Sequence, residues 1–195
     1  IATSAAMGLL EPMSCGIGGD LFAIVWDAKT QKLYGLNANG AAPRLATRKW
    51  FAEKGYEEIP TLGPLSWSVP GCVDGWAELR KKFGTMSFEK LLAPSIEYAE
   101  KGAPVPEVIA GYWRAAETKL RAHPGSTKVY LPDGKNAPRM GEVFKNPALA
   151  ATYREIAKNG RDAFYKGKLT ESLLDFSKKN GGLFSKEDFD KHTST

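Results

Sequence analysis

The sequence is short of cysteine, of histidine and of long apolar runs, and each shortage removes a class of function. Cys15 and Cys72 are its two cysteines, too few for a disulfide framework or a cysteine zinc site. One Cys15–Cys72 bridge and a pair of buried free thiols are the readings left. The two histidines, His123 and His192, each stand beside residues typical of exposed turns or helix ends. Neither has a second histidine, a cysteine or a carboxylate cluster at metal-ligand spacing, so no metal and no cofactor is expected. The serines lie in no nucleophile-elbow pattern, which argues against a Ser–His–Asp device. Even the apolar run Leu21–Trp26 is closed off by Asp27 and Lys29, far short of the roughly 18 apolar residues that cross a bilayer. The net charge of +5 is modest. Its lysines and arginines alternate with acids, as in Glu78–Lys82 and Lys186–Lys191, instead of forming the basic stripe of a nucleic-acid binder.

What remains is the composition of a globular protein. Across 195 residues, 43% hydrophobic and 25% charged side chains suffice for one substantial core and exclude disorder. Both ends read as cut: the chain opens on an Ala-rich helical pattern with no initiator Met and no N-cap, and closes just after a fresh helix start. An internal part of a longer protein is therefore expected, and a missing leader says nothing about compartment.

The opening helix should stop near Leu10, before Glu11-Pro12 and a glycine-rich turn through Gly16-Ile17-Gly18-Gly19. Leu21–Trp26 then reads as a strand buried on both faces, Asp27–Thr30 as a turn and Lys32–Ala38 as the returning strand. Beyond Pro43 the texture turns helical, with a short helix at Thr47–Lys54 and a loop at Tyr56–Pro70 holding one strand at Leu65–Val69. Val73, Trp76, Leu79 and Phe83 carry the rhythm of a one-sided helix ended by Gly84. Ser87 caps the next, which contains Pro94 and stops at Gly102. Further helices are predicted over Val105–Ala122, from Pro147 behind an Asn146 cap, and over Leu169–Lys179. His123–Gly141 reads as loop, and Ser185–Asp188 has capping-box spacing.

The glycine loop between Glu11 and Asp20 is the first place to look for a ligand, because closely spaced glycines let a backbone approach an anion. It follows a helix and opens a strand, however, the reverse of a phosphate-cradling loop. A tight turn with close backbone packing and a ligand contact both stay open. Physical reading alone ends at a mixed α and β globular fragment.

The residues also carry a family pattern. Glu11–Phe22 (Glu-Pro-Met-Ser-Cys-Gly-Ile-Gly-Gly-Asp-Leu-Phe), with Leu36–Pro43 after a strand and a turn, resembles the N-terminal region of gamma-glutamyltranspeptidases. In the same order come Ser68–Trp76, Phe83–Met86, Leu91–Ile96, Glu100–Val105, Asn159–Gly167 and Gly181–Asp188, so the resemblance spans nearly the whole chain. It implies an α+β fold, a portion of an Ntn-hydrolase αββα sandwich: a buried hairpin followed by a mostly helical segment. Residues 1–195 would be an internal part of the large subunit, partnered by the remainder of that subunit and by a small catalytic subunit. The activity implied is cleavage of gamma-glutamyl amides, glutathione among them, by an N-terminal threonine whose hydroxyl attacks while its own amine acts as base. A periplasmic or secreted setting is implied as well. Thr193, Ser194 and Thr195 match the middle of the large subunit, so no catalytic residue is assigned in this chain.

One position departs from the pattern. The family places an arginine just before the Ala-Pro step to hold the substrate's alpha-carboxylate, a task for a bidentate fork. Here the stretch is Asn39-Gly40-Ala41-Ala42-Pro43, and Arg44 falls past the proline. Asn39 is the candidate substrate-binding residue, with a turn role beside Gly40 as the alternative. An acylase of different acyl specificity, or a non-catalytic homologue that only binds, stands beside the glutamyl reading.

Overall fold

Proline and glycine punctuation sets most element boundaries in the computed structural model, which describes residues 1–195. The first elements are α1 (Ala2–Leu10), β1 (Leu21–Asp27), β2 (Lys32–Ala38), α2 (Arg48–Glu53) and α3 (Cys72–Phe83). Then follow α4 (Phe88–Lys101), β3 (Ala103–Pro104), α5 (Glu107–Arg121), α6 (Pro124–Tyr130) and β4 (Val143–Phe144). The last are α7 (Pro147–Asn159), α8 (Arg161–Tyr165), α9 (Lys168–Lys179) and α10 (Lys186–Asp190). They form two compact units: Ile1–Gly16 with Met86–Lys158, and Ile17–Thr85 with Asn159–Thr195.

The first unit is helical, with one short ladder pairing β3 and β4 antiparallel. Its centre is Trp113 of α5, 1% exposed, edge-on to Phe144 at 4.7 Å between ring centroids. The indole N–H donates to the Tyr130 carbonyl at 2.8 Å, so this buried donor is satisfied. Leu9, Ala99, Ala103, Val105 and Ala150 complete the cluster. Small residues let α1 lie close to α4, and the Tyr153 hydroxyl donates to the Ala5 carbonyl at 2.8 Å. Pro94 sits inside α4 without splitting it, while Asn146 caps α7, its side-chain oxygen accepting from Leu149 N at 3.0 Å.

The second unit carries the hairpin. β1 and β2 pair antiparallel, from Leu21 opposite Ala38 to Asp27 opposite Lys32. Asp27 closes the turn by accepting from Lys29 N at 3.0 Å and Thr30 Oγ1 at 2.7 Å. One face of the hairpin packs on α3, with Val73 and Trp76 fully buried. α8 and α9 pack together, and Tyr165 and Phe189 are fully buried as well.

Several expectations are corrected. Leu21–Trp26 is not covered on both faces: exposure alternates, leaving Phe22, Ile24 and Trp26 at 69%, 79% and 56%. Both faces are apolar in sequence, but α3 shields one. Leu65–Val69 forms no strand; Pro64–Ser66 is a 3₁₀ turn, because Gly63 at φ 94° and Pro64 start a helical turn instead. His123–Gly141 is not all loop, since Pro124 begins α6 and His123 caps it, its Nδ1 accepting from Gly125 N at 3.2 Å. His192 is not at an exposed helix end but 7% exposed. The two cysteines form no disulfide, and Cys15 is exposed while Cys72 is buried.

Candidate functional site

Asn39 lies in a cleft of about 280 Å³ in the second unit. Asn37, Asn39 and Arg44, from the end of β2 and the turn after it, form one wall. Asp188, His192 and Thr195, from α10 and the residues following it, form the other. A larger hollow of about 590 Å³ in the first unit is shallower and lined by Glu97, Glu100 and Arg154. Of these, Glu97 is held by Lys101 at 2.8 Å, and Arg154 is paired with Glu100. No group of three or more His, Cys, Asp or Glu side chains is placed to hold a metal ion.

The stretch bearing Asn39 is tied down on three sides. Gly40 N donates to Asp20 Oδ1 at 2.7 Å, and Asn39 N donates to the Asn37 side chain at 3.1 Å. Val69 N donates to the Ala41 carbonyl at 3.0 Å. Backbone meets backbone here: a Cβ on Gly40 would fall 1.8 Å from Val69 O, and one on Gly71 2.1 Å from Ala38 O. Glycine is required at both positions by this approach. Asn37 and Thr195 exchange both of their backbone hydrogen bonds, at 2.7 and 2.9 Å, so the chain beyond α10 lies alongside β2 as an antiparallel pair.

Electrostatically the cleft holds no idle cation. Arg44 faces Glu187 at 3.9 Å and Asp188 at 4.0 Å, and its backbone N donates to Asp188 Oδ1 at 2.9 Å. Lys191 is paired with Glu187. Asn39, exposed in the cleft, offers it a neutral amide.

Beneath the cleft is a polar cluster that sequence reasoning missed. Asp74 in the first turn of α3 is 2% exposed. It is paired with Arg161 and accepts from Ser194 N at 2.7 Å and Ser194 Oγ at 2.5 Å. Burial pushes its carboxyl up, but the Ser194 hydroxyl and the Arg161 guanidinium outweigh that and hold it below the usual carboxylate range. Arg161 also donates to the His192 carbonyl at 2.5 Å and lies over the Tyr165 ring at 4.4 Å. The His192 ring stacks on Tyr165 at 5.2 Å, and its Nε2 is buried without a partner. Burial, helped by Arg161 and opposed by Asp74, holds this imidazole below its ordinary value. Burial likewise pushes the Tyr165 phenol up. Serine, histidine and aspartate meet here, but not as a triad: the Ser194 hydroxyl is directed at Asp74, and no base contacts it through His192 Nε2.

Residues 1–195 match the family model described as gamma-glutamyltranspeptidase along their whole length. The chain belongs to the gamma-glutamyltranspeptidase family. It is 34% identical to glutathione hydrolase proenzyme 1 of Schizosaccharomyces pombe over 189 residues, 96% of this chain and 29% of that protein. Among solved structures it is similar to the cephalosporin acylase of Bacillus halodurans, 40% identical at a TM-score of 0.93, covering 100% of this chain and 37% of that one. It is also similar to the gamma-glutamyltranspeptidase of Helicobacter pylori, 29% identical at a TM-score of 0.93, covering 100% and 56%. The fold is thus part of an Ntn hydrolase, of α+β class, and the family is one of transferases and hydrolases. The chain spans about a third of the length of the curated glutathione hydrolase relatives it matches. No helix is long and apolar enough to cross a membrane.

Proposed function

We propose that this chain is an internal part of the large subunit of an amidohydrolase or acyltransferase that cleaves gamma-glutamyl amides, glutathione-like ones among them. The cleft around Asn39 receives the acyl group. Its partners are the remainder of the large subunit and the small subunit bearing the nucleophile. The reacting group is a threonine outside residues 1–195: its hydroxyl attacks the amide carbon, its free amine takes the hydroxyl proton, and that proton leaves with the departing amine. The ester so formed is then broken by water or by the amine of an amino acid or peptide, returning the threonine. Residues 1–195 alone should turn over no amide.

A second reading, an acylase of another acyl specificity, is favoured by one observation: Asn39 stands where the family pattern has arginine, and Arg44 and Lys191 are each engaged by a carboxylate. An amide binds a carboxylate less strongly than a guanidinium fork does. The intact protein, assayed with gamma-glutamyl anilide and with butyryl anilide, separates the two. Preference for the glutamyl donor supports the first reading, and preference for the uncharged donor supports the second. Calorimetric binding of glutathione with no release of either aniline would leave a homologue that binds without catalysis.

A further inference from the structure

Helix α10, which ends at Asp190, ties the cleft wall opposite Asn39 to the Arg44 turn through Asp188, but it does not fix the rest of that wall. The rest is held by the five residues after it. Arg161 takes the His192 carbonyl at 2.5 Å, and Asp74 takes both the backbone N and the hydroxyl of Ser194, at 2.7 and 2.5 Å. Thr195, the next residue, then exchanges two hydrogen bonds with Asn37. Asn37 in turn accepts, through its side chain, from Asn39 N. An unbroken series of contacts therefore runs from a buried carboxylate on α3 to the residue that faces the acyl group. The carboxylate is anchored from its own side too, because Asp74 N donates to the Tyr165 hydroxyl at 3.1 Å, which donates to the Pro70 carbonyl at 2.6 Å.

We infer that Asp74, acting through Ser194 with Arg161, is a positioning residue for the acyl cleft: it sets where the Thr193–Thr195 segment lies against β2 and so the width of the cleft at Asn39. This rests on the proposal that the cleft receives the acyl group. A carboxylate at this spot does two things an amide cannot. Its two oxygens accept three hydrogen bonds at once, from Arg161, Ser194 N and Ser194 Oγ. Its charge also keeps the guanidinium stacked on Tyr165, where the same fork reaches the His192 carbonyl.

The test uses the intact protein with Asp74→Asn and the milder Ser194→Ala, read in two independent ways. Amide exchange is followed at Asn37 and Thr195, and KM and kcat are measured for two acyl anilides, glutamyl and butyryl. Both variants should lose protection at these two amides, Asp74→Asn by at least about tenfold, while the amides of α9 keep theirs. KM for the preferred donor should rise roughly tenfold with kcat within about twofold, and the preference between donors should narrow, since misplacement of a wall acts on fit before chemistry. Unchanged protection at Asn37 and Thr195 would overturn the inference. So would a uniform loss of protection with an unaltered donor preference, which would make Asp74 a stabiliser of the fold alone. If the unaltered protein releases aniline from neither donor, the amidohydrolase reading falls, and the exchange measurement still decides whether Asp74 places the segment.

Discussion

His192 shows how much one side chain in this protein depends on its surroundings. Its imidazole stacks on Tyr165, and burial disfavours its charged form; Asp74 and Asp20 only partly offset the burial, and Arg161 adds to it. The folded state therefore binds a proton on His192 less readily than the unfolded chain, whose histidine titrates near 6.5. Where the unfolded state holds more protons, stability falls as pH falls. The urea midpoint should accordingly decline as pH drops below about 6.5, and His192→Gln should remove that first decline. Asp74 acts lower on the scale. Its folded carboxyl lies below the ordinary value, so its contribution is present above about pH 4 and lost as pH falls through the folded value. A midpoint that stays flat from neutrality down to pH 5 would contradict the assignment of His192 as a buried neutral ring. None of this was legible in the sequence. Asp74 stands next to Val73 in a helix read only from its apolar residues, and its partners Arg161 and Ser194 lie 87 and 120 positions away. Asn39 is singled out in the sequence only by the family resemblance of the run around it, and it lines the cleft.

Among the elements, α10 is the one that the sequence announced most directly and the structure used most fully. Ser185 and Asp188 cap each other as their spacing predicts, with Ser185 N donating to Asp188 Oδ2 at 2.7 Å. The second oxygen of the same carboxylate accepts from Arg44 N at 2.9 Å, fastening the turn after β2. Ser185→Ala should cost about 1 kcal/mol, the usual loss of a cap. Asp188→Ala leaves donors unmet both at the α10 cap and in the Arg44 turn and should cost more, about 0.5–1.5 kcal/mol for each hydrogen bond lost. Equal losses from the two variants in urea unfolding would show that the Arg44 turn does not depend on Asp188. Where element reading failed, the causes are local. β3 and β4 are two residues each, too short for a period to show. Pro124-Gly125 has the composition of a turn, yet proline is equally at home in the first turn of a helix, and His123 supplied the cap. The long helices α4 and α7 were legible because a capping side chain, Ser87 or Asn146, opens each and a glycine follows its end.

For the molecule as a whole, the hairpin's uncovered face governs behaviour in solution. Phe22, Ile24 and Trp26 stand out from β1, and Leu33, opposite Trp26, is 66% exposed on the same face. A two-stranded ribbon gains little stability by itself, and apolar patches of this kind drive association. Residues 1–195 expressed alone should self-associate. Replacing Ile24 by Thr and Trp26 by Lys should shift the sedimentation profile towards monomer, with the far-ultraviolet circular dichroism preserved. A monomeric profile before the replacements would contradict the expectation. The division into two units has a consequence of another kind. Each is drawn from two separated stretches of chain, Ile1–Gly16 with Met86–Lys158 and Ile17–Thr85 with Asn159–Thr195. A lone protease cut anywhere between Thr85 and Met86 would hand each product an incomplete share of both, so neither half can be harvested as a free-standing domain.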